Sequence, residues 1–405
     1  MEDTGRKDRC WAVIDLDIVG QNVQAIKRRI PDTCAVMAVV KGDGYGHGLV
    51  PMAQACVKAG VEWFGAATLE EAVCLRENGV MLPILILGVT PPERGVELLR
   101  FHLTQVVPSL EYAKALARTL HGFNGQLSVH IGIDTGMGRL GWWVQPETIP
   151  EICDDIAQIE QEQALKIEGI MTHLSSARGS DTTAIAYTRQ QLKQFQQLCE
   201  ALRTKGITPL YRHVLNSGGL MHHNDFAMEM VRVGHLLCEP LTGAERFGLR
   251  PAMEIKTTIA YIKDLPAGAC VGYGRSRQLA RPTRIAVLNI GYCDGYPGCL
   301  SNKGLLLLHG IRVPVVGSVC MDQMMIDVSS VPEAMVGDTV TIVGQDGDDA
   351  ITMEDVSRQA EGMMDGPLSI HLTNRMPRYY KQQSHLAGYR RIEEEIVPLN
   401  NGFMR

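Results

Sequence analysis

No run among the 405 residues approaches the roughly 20 consecutive apolar side chains that a membrane-spanning helix needs, and Met1 to Arg9 is charged where a secretion signal would be apolar. The chain therefore reads as soluble and cytoplasmic. Blocks of basic charge are missing as well. The 39 Lys and Arg are offset by 45 Asp and Glu, giving a formal charge of −6, and nothing clusters as a nucleic-acid footprint would. The 11 cysteines contain no C-x-x-C pair and no Cys/His group at zinc spacing, so no metal site is expected, and their scatter suits reduced, buried thiols. Internal repeats and low-complexity linkers are lacking too.

What is present points to a large globular protein. Apolar residues make up 45% and charged residues 21%, enough to bury substantial cores. The length suits two or three domains, or one β/α barrel of about 250 residues plus a second domain. Glycine stands out at 41 residues, about a tenth of the chain against an average near 7%. Its clustering beside polar residues suggests backbone that approaches a ligand.

Short apolar or β-branched runs at 35–40, 63–67, 83–87, 103–108, 127–133, 167–173, 211–215 and 228–234 alternate with segments of helical period such as 69–78, 110–120, 149–161 and 184–205. Eight βα units in succession predict a (β/α)8 TIM-type barrel over residues 11–245, with its chemistry at the strand C-termini. From about residue 248 the texture turns β-rich, at 252–262, 283–290, 304–309, 311–316, 324–328 and 339–343, between Gly, Pro and Asp turns. A mainly β domain is therefore expected over 246–405, with short helices at 353–361 and around 367–372.

The sharpest local signal is Val39-Val40-Lys41-Gly42-Asp43-Gly44-Tyr45-Gly46-His47-Gly48. A lysine ending a buried strand is placed to be desolvated, which frees its amine to attack a carbonyl. It is equally open to reading as a snorkelling strand-end lysine before a loop.

This segment and others spread in order from Lys41 to Arg378 resemble the alanine racemase family of pyridoxal-phosphate enzymes. The resemblance implies a β/α barrel followed by a β domain. Lys41 corresponds to the family's Schiff-base lysine, with glycine at 42 and 44 where the family often has alanine, and Tyr45 would offer its hydroxyl to the cofactor phosphate. In Asp134-Thr-Gly-Met-Gly-Arg139-Leu-Gly, Arg139 is similar to the arginine that bonds the ring-hydroxyl side and borders the substrate. His173 matches the histidine beside the cofactor that supports the catalytic tyrosine. Asn216-Ser217-Gly218-Gly219 suits a dianionic phosphate. In Val231-Arg232-Val-Gly234, Arg232 would face the pyridine nitrogen and Gly234 would help the phosphate. A cation at that nitrogen disfavours its protonation and restrains the cofactor as an electron sink, which favours racemisation over transamination. Without the resemblance, Arg139 would be a surface cation and His173 a structural strand-end histidine.

In the β domain, Val271-Gly-Tyr273-Gly-Arg275 is similar to the segment carrying the second catalytic base, otherwise a turn aromatic. Lys41 and Tyr273 would each serve one face of the α-carbon, with Tyr273 needing a lowered pKa from cationic surroundings. Gly291-Tyr292-Cys-Asp-Gly-Tyr296 resembles the segment along the substrate's approach. Gly317-Ser-Val-Cys320-Met321-Asp322 resembles the one whose Met backbone meets the substrate carboxylate and whose aspartate orients its neighbours. In the family Tyr273 and Met321 come from the partner subunit, which implies a head-to-tail homodimer with composite sites.

Two departures matter. Gly132 stands where the family often has a carbamylated lysine, so Arg139 needs another anionic partner, chloride or a different side chain. Asn374 stands where a tyrosine borders the substrate side chain. An amide there can bond a hydroxyl that alanine lacks, which brings serine into consideration alongside alanine. The resemblance thus implies a cytoplasmic racemase supplying D-amino acids to peptidoglycan-type polymers. Two rivals are a non-catalytic cofactor-binding regulatory protein and a fold-related decarboxylase. The first lacks the β domain with its Tyr273 and Cys320-Met-Asp322, and the second places an acid where this chain has Arg232.

Overall fold

The computed structural model describes residues 8–239, 243–382 and 385–390. After β1 (Cys10–Asp15) come β2 (Ala35–Val39), β3 (Trp63–Ala66), β4 (Ile84–Ile86), β5 (Thr104–Val107), β6 (Leu127–Asp134), the two-residue β7 (Trp142–Trp143), β8 (Leu165–Thr172), β9 (Tyr211–His213) and β10 (Met230–Val233). The parallel order is β10-β2-β3-β4-β5-β6-β8-β9, with β7 added to β6. The Arg232 N–H donates to Leu215 O at 3.0 Å between the two ends, so the sheet is a nearly closed barrel. All eight expected strands are present, with ends within two residues of the sequence reading.

Most barrel strands are buried on both faces, which is why they read as unbroken apolar runs without alternation. The interior is filled by Met37, Val39, Trp63, Leu85, Val106, Met171 and Met230, making it a packed core and not a pore. Side-chain caps start the outer helices. Thr68 accepts from Glu71 N at the head of Leu69–Glu77, and Ser109 from Tyr112 N at the head of Leu110–Thr119. Asp181 accepts from Thr183 N and Ala184 N at the head of Thr182–Thr204. Such a cap contributes about 0.5–2 kcal/mol.

The second unit contains β11 (Met253–Leu265), β12 (Cys270–Val271), β13 (Arg277–Gln278), β14 (Thr283–Leu288), β15 (Leu305–Leu308), β16 (Ile311–Pro314), β17 (Met324–Asp327), β18 (Thr339–Asp346), β19 (Asp349–Ile351), β20 (Arg378–Gln382) and β21 (His385–Arg390). The long β11 alternates buried and half-buried residues along most of its length and pairs with β1, β14 and β18. A helix at Met353–Gln359 and a tight turn of helix at Leu368–His371 stand where short helices were expected.

The unit boundaries differ from the expected ones. Among the described residues, the barrel unit spans Leu16–Ala252, and the β unit combines residues 8–15 with those from Met253 onward. Residues 11–15, read as barrel, are a β-unit strand: Cys10 faces Thr257 across an antiparallel ladder, and Ala12 faces Arg378 across a parallel one. The expected end of the β domain at 405 lies outside the described residues.

Candidate active site

Lys41 follows β2 and opens a tight left-handed turn. Gly42, Asp43, Gly44, Tyr45 and Gly46 all have φ between 54° and 80°. Gly44 N donates to Val40 O and Gly46 N to Gly42 O. Such a run is costly for L-residues, and the alternate glycines are what make it accessible. Asp43 accepts from Leu49 N at 2.8 Å and ties the turn to the next helix. Burial lowers the Lys41 pKa, Arg139 lowers it further, and Glu71 partly offsets them. The sequence reading missed Glu71, whose spacing from Thr68 looks like half of a helix cap. Its carboxylate instead accepts from Gly42 N and Ala67 N, both at 2.7 Å, and so holds the lysine's turn.

Asp134, at the end of β6, organises the second loop. Its two oxygens accept backbone N–H groups from Gly136, Met137, Gly138 and Arg139 at 2.9–3.1 Å. Arg139 is thereby set at the barrel mouth. Gly132 is buried, and a Cβ there would approach Val106 to 3.0 Å. A small cavity of about 30 Å³ lies between Gly132 and Arg139, room for one small occupant.

Behind this loop the polar groups interlock. Asn216 caps the Ser217–His222 helix by accepting from Gly219 N. Its amide N–H groups face Leu174 O at 2.9 Å and His173 Nε2 at 3.2 Å, so this side chain positions its neighbours. Ser217 Oγ accepts from Gly234 N at 3.2 Å and keeps its own proton to donate. A Cβ on Gly234 would lie 2.4 Å from the Tyr45 hydroxyl, so only glycine admits that tyrosine. Arg232 is buried without a carboxylate partner among the described residues. It donates to Thr172 O at 2.6 Å and to His213 O and Nδ1 at 2.8 and 3.0 Å. Burial, then Arg139, bring its pKa down to about 9, still charged at neutral pH. Burial and the cations Arg232, Arg139 and Lys41 push His173 down to about 3, so its imidazole is neutral.

All eight barrel residues singled out from the sequence, Lys41, Tyr45, Arg139, His173, Asn216, Ser217, Arg232 and Gly234, line one cavity of about 710 Å³ at the strand C-termini. Gly218 of the Asn216–Gly219 motif joins them, as do Arg178 and His235, which no motif signal marked. Four cations line the cavity, Lys41, Arg139, Arg178 and Arg232, and no carboxylate does among the described residues. That charge balance suits a phosphorylated guest.

The β unit gathers its own set. Gly272 and Gly291 let three motifs touch: a Cβ on Gly272 would lie 2.3 Å from Ser318 N, and one on Gly291 2.3 Å from Cys320 O. Tyr292 N donates to Cys320 O, Cys293 N to Met321 O, and Ser318 Oγ to Tyr273 O. Arg375, next to the exposed Asn374, donates to Asp322 at 2.7 Å and approaches the buried Asp294 at 3.3 Å. Tyr273, Tyr292, Met321, Asp322 and Asn374 thus belong to one connected group of loops. Three of its large side chains are exposed, Tyr273 by 76%, Met321 by 50% and Tyr292 by 47%.

Fold and cavity together define the class: a barrel protein whose strand-end lysine opens into a cation-lined cavity suited to a phosphorylated guest. The chain matches the family models of the alanine racemase N-terminal domain over residues 14–239 and of the C-terminal domain over 252–380. It is 37% identical over 386 residues to an alanine racemase of Desulfosudis oleivorans, covering 93% of this chain and 98% of that one. Among solved structures it resembles an alanine racemase of Clostridium difficile 630, with TM-score 0.85, 29% identity and coverage of 95% and 98%. It also resembles a histidine racemase of Leuconostoc mesenteroides, with TM-score 0.80, 27% identity and coverage of 93% and 99%. The chain belongs to the alanine racemase family, and like that family it is a pyridoxal-phosphate-dependent amino-acid racemase. No helix among the described residues is long and apolar enough to cross a membrane.

Proposed function

We propose that this racemase interconverts the enantiomers of alanine and of serine, using Lys41 and Tyr273 as its two bases. The observation that carries the reading is the single cavity that gathers Lys41, the phosphate donors and the buried Arg232. Tyr45 and Ser217, the latter oriented by the Gly234 N–H, would hold the phosphate, Arg139 the ring-hydroxyl side, and Arg232 the pyridine nitrogen. When bound, pyridoxal phosphate supplies a carbonyl that takes up the substrate amine and delocalises charge from the α-carbon.

The chain's own groups move the protons. The Lys41 amine, its basicity lowered by burial and by Arg139, is suited to take and return the α-proton on one face. The Tyr273 hydroxyl would do the same on the other, with the Met321 backbone and Arg139 at the substrate carboxylate. Arg232 would keep the pyridine nitrogen unprotonated, and its bonds to carbonyls and a neutral imidazole leave its charge for that task. This feature disfavours the decarboxylase reading.

Composite sites in a head-to-tail homodimer are supported by two exposed apolar groups. One is Tyr273, Tyr292 and Met321 on the β unit; the other is Met137, Leu140 and Trp143 around Arg139 on the barrel unit. A cytoplasmic setting is supported by the 11 cysteines, all free.

The assignment of Lys41 is tested chemically. The purified protein is expected to absorb in the near-violet. After borohydride reduction, peptide mapping should find the cofactor on Lys41 as a secondary amine. A label on another lysine would remove Lys41 from the first role.

Asn374 is the position proposed to set substrate preference. Burying serine's hydroxyl without a partner costs about 1–3 kcal/mol, so one well-placed amide shifts the serine-to-alanine ratio of kcat/KM by about one to two orders of magnitude. Asn374→Tyr removes both volume and amide, and is expected to lower serine turnover by that factor relative to alanine. An unchanged ratio, with kcat/KM measured for both L-substrates in both proteins, would show that Asn374 does not govern selection.

A further inference from the structure

Arg232 is the first member of a hydrogen-bonded chain that runs into the barrel interior and stops at His130, 4.0 Å from the Glu168 carboxylate. Its Nη1 lies 3.0 Å from His213 Nδ1, and His213 Nε2 lies 2.8 Å from His130 Nδ1. Both imidazoles are fully buried, and His130 packs beside Trp63 and Tyr211. Burial first, and then the charge of Arg232, hold both rings neutral: His130 falls to about 3, and His213 lies well below its ordinary value.

Only one arrangement of protons satisfies these contacts. A guanidinium can only donate, so His213 Nδ1 accepts. The proton of the neutral His213 ring is then on Nε2 and is donated to His130 Nδ1. The His130 proton is therefore on Nε2, a buried atom with no hydrogen bond among the described residues. Glu168 Oε2 lies 4.0 Å from it, beyond hydrogen-bond reach but close enough for its charge to bear on that proton.

Two backbone features serve this contact. In the ladder between β6 and β8, Val129 faces Ile167 and His130 faces Gly169, so Glu168 is an extra residue in a bulge, rare between parallel strands. A bulge re-aims a side chain. At Gly169 a Cβ would lie 2.6 Å from His130 Cε1, so the glycine makes the seat for the ring.

We infer that Glu168 and His130 are positioning residues: the Glu168 carboxylate, 4.0 Å away, favours the His130 proton on Nε2, His130 accepts from His213 and fixes its tautomer, and His213 holds Arg232 in place for the pyridine nitrogen. The inference rests on the proposed placement of Arg232. Its readout is the partition between racemisation and the side reaction that Arg232 suppresses, in which the amino acid leaves as its 2-oxo acid and its nitrogen remains on the cofactor as pyridoxamine phosphate.

In the full-length cofactor-loaded enzyme, Glu168→Gln and His130→Leu are each expected to raise the ratio of transamination to racemisation about threefold to tenfold. His130→Asn, whose amide oxygen can replace Nδ1 as acceptor, should restore most of the normal ratio. Imidazole nitrogen spectra of the full-length protein, before and after cofactor loading, should show His213 protonated on Nε2 alone in the wild type and as a tautomer mixture in His130→Leu. Arg232→Leu separates the two levels of the argument. If it raises the ratio while Glu168→Gln and His130→Leu do not, the relay is overturned and the placement of Arg232 stands. If Arg232→Leu leaves the ratio unchanged, that placement falls and the relay with it. A His213 ring protonated on Nδ1 in the wild type would also overturn the relay.

Discussion

Tyr273→Phe is expected to cut racemisation by roughly two to four orders of magnitude, the usual contribution of a positioned acid or base, while the cofactor stays bound. None of the proposed cofactor contacts on the barrel unit belongs to Tyr273, so binding and the near-violet absorption should persist. Proton exchange should become one-sided. Lys41 remains able to remove the α-proton of the enantiomer presented to its own face, so that enantiomer should exchange with solvent deuterium and the other should not. The ring of Tyr273 is largely exposed and its hydroxyl makes no hydrogen bond among those described, so phenylalanine should leave the β unit's stability nearly unchanged. The check is deuterium incorporation into L- and D-alanine separately. Normal exchange from both would show that Tyr273 is not the second base.

The barrel was legible because its strands are buried on two sides and its helices on one, so periodicity alone separated them. The barrel cavity was legible for a different reason. Lys41, Arg139, His173, Asn216 and Arg232 all lie at or near strand ends, the place where a barrel gathers chemistry. What stayed hidden depends on pairing between distant segments. β1 joins the β unit because Cys10 faces Thr257, and nothing in residues 10–15 says so. Glu71 and Asp134 act through backbone N–H groups, which any residue supplies, so their partners leave no trace in sequence. The bulge at Glu168 is invisible for the same reason, since one extra residue shows only against the neighbouring strand's register.

Mixing Lys41→Ala with Tyr273→Phe subunits is expected to take two nearly inactive proteins and recover roughly a quarter of the wild-type rate, because a composite site draws its two bases from different chains. In a mixed head-to-tail dimer one site carries both substitutions and the other carries neither. Random assortment makes about half of all dimers mixed, and each contributes one working site of two. Sites built within single chains behave oppositely: every site in a mixed dimer then lacks one base, and mixing recovers nothing. Two different affinity tags allow the mixed species to be isolated, in which case its activity should approach about half that of the wild type. The two exposed groups, Tyr273 with Tyr292 and Met321, and Trp143 with Met137 and Leu140, are the surfaces such a dimer would bury. Doubly tagged dimers that bind cofactor on one subunit and still fail to turn over alanine would place Lys41 and Tyr273 in the same chain's site.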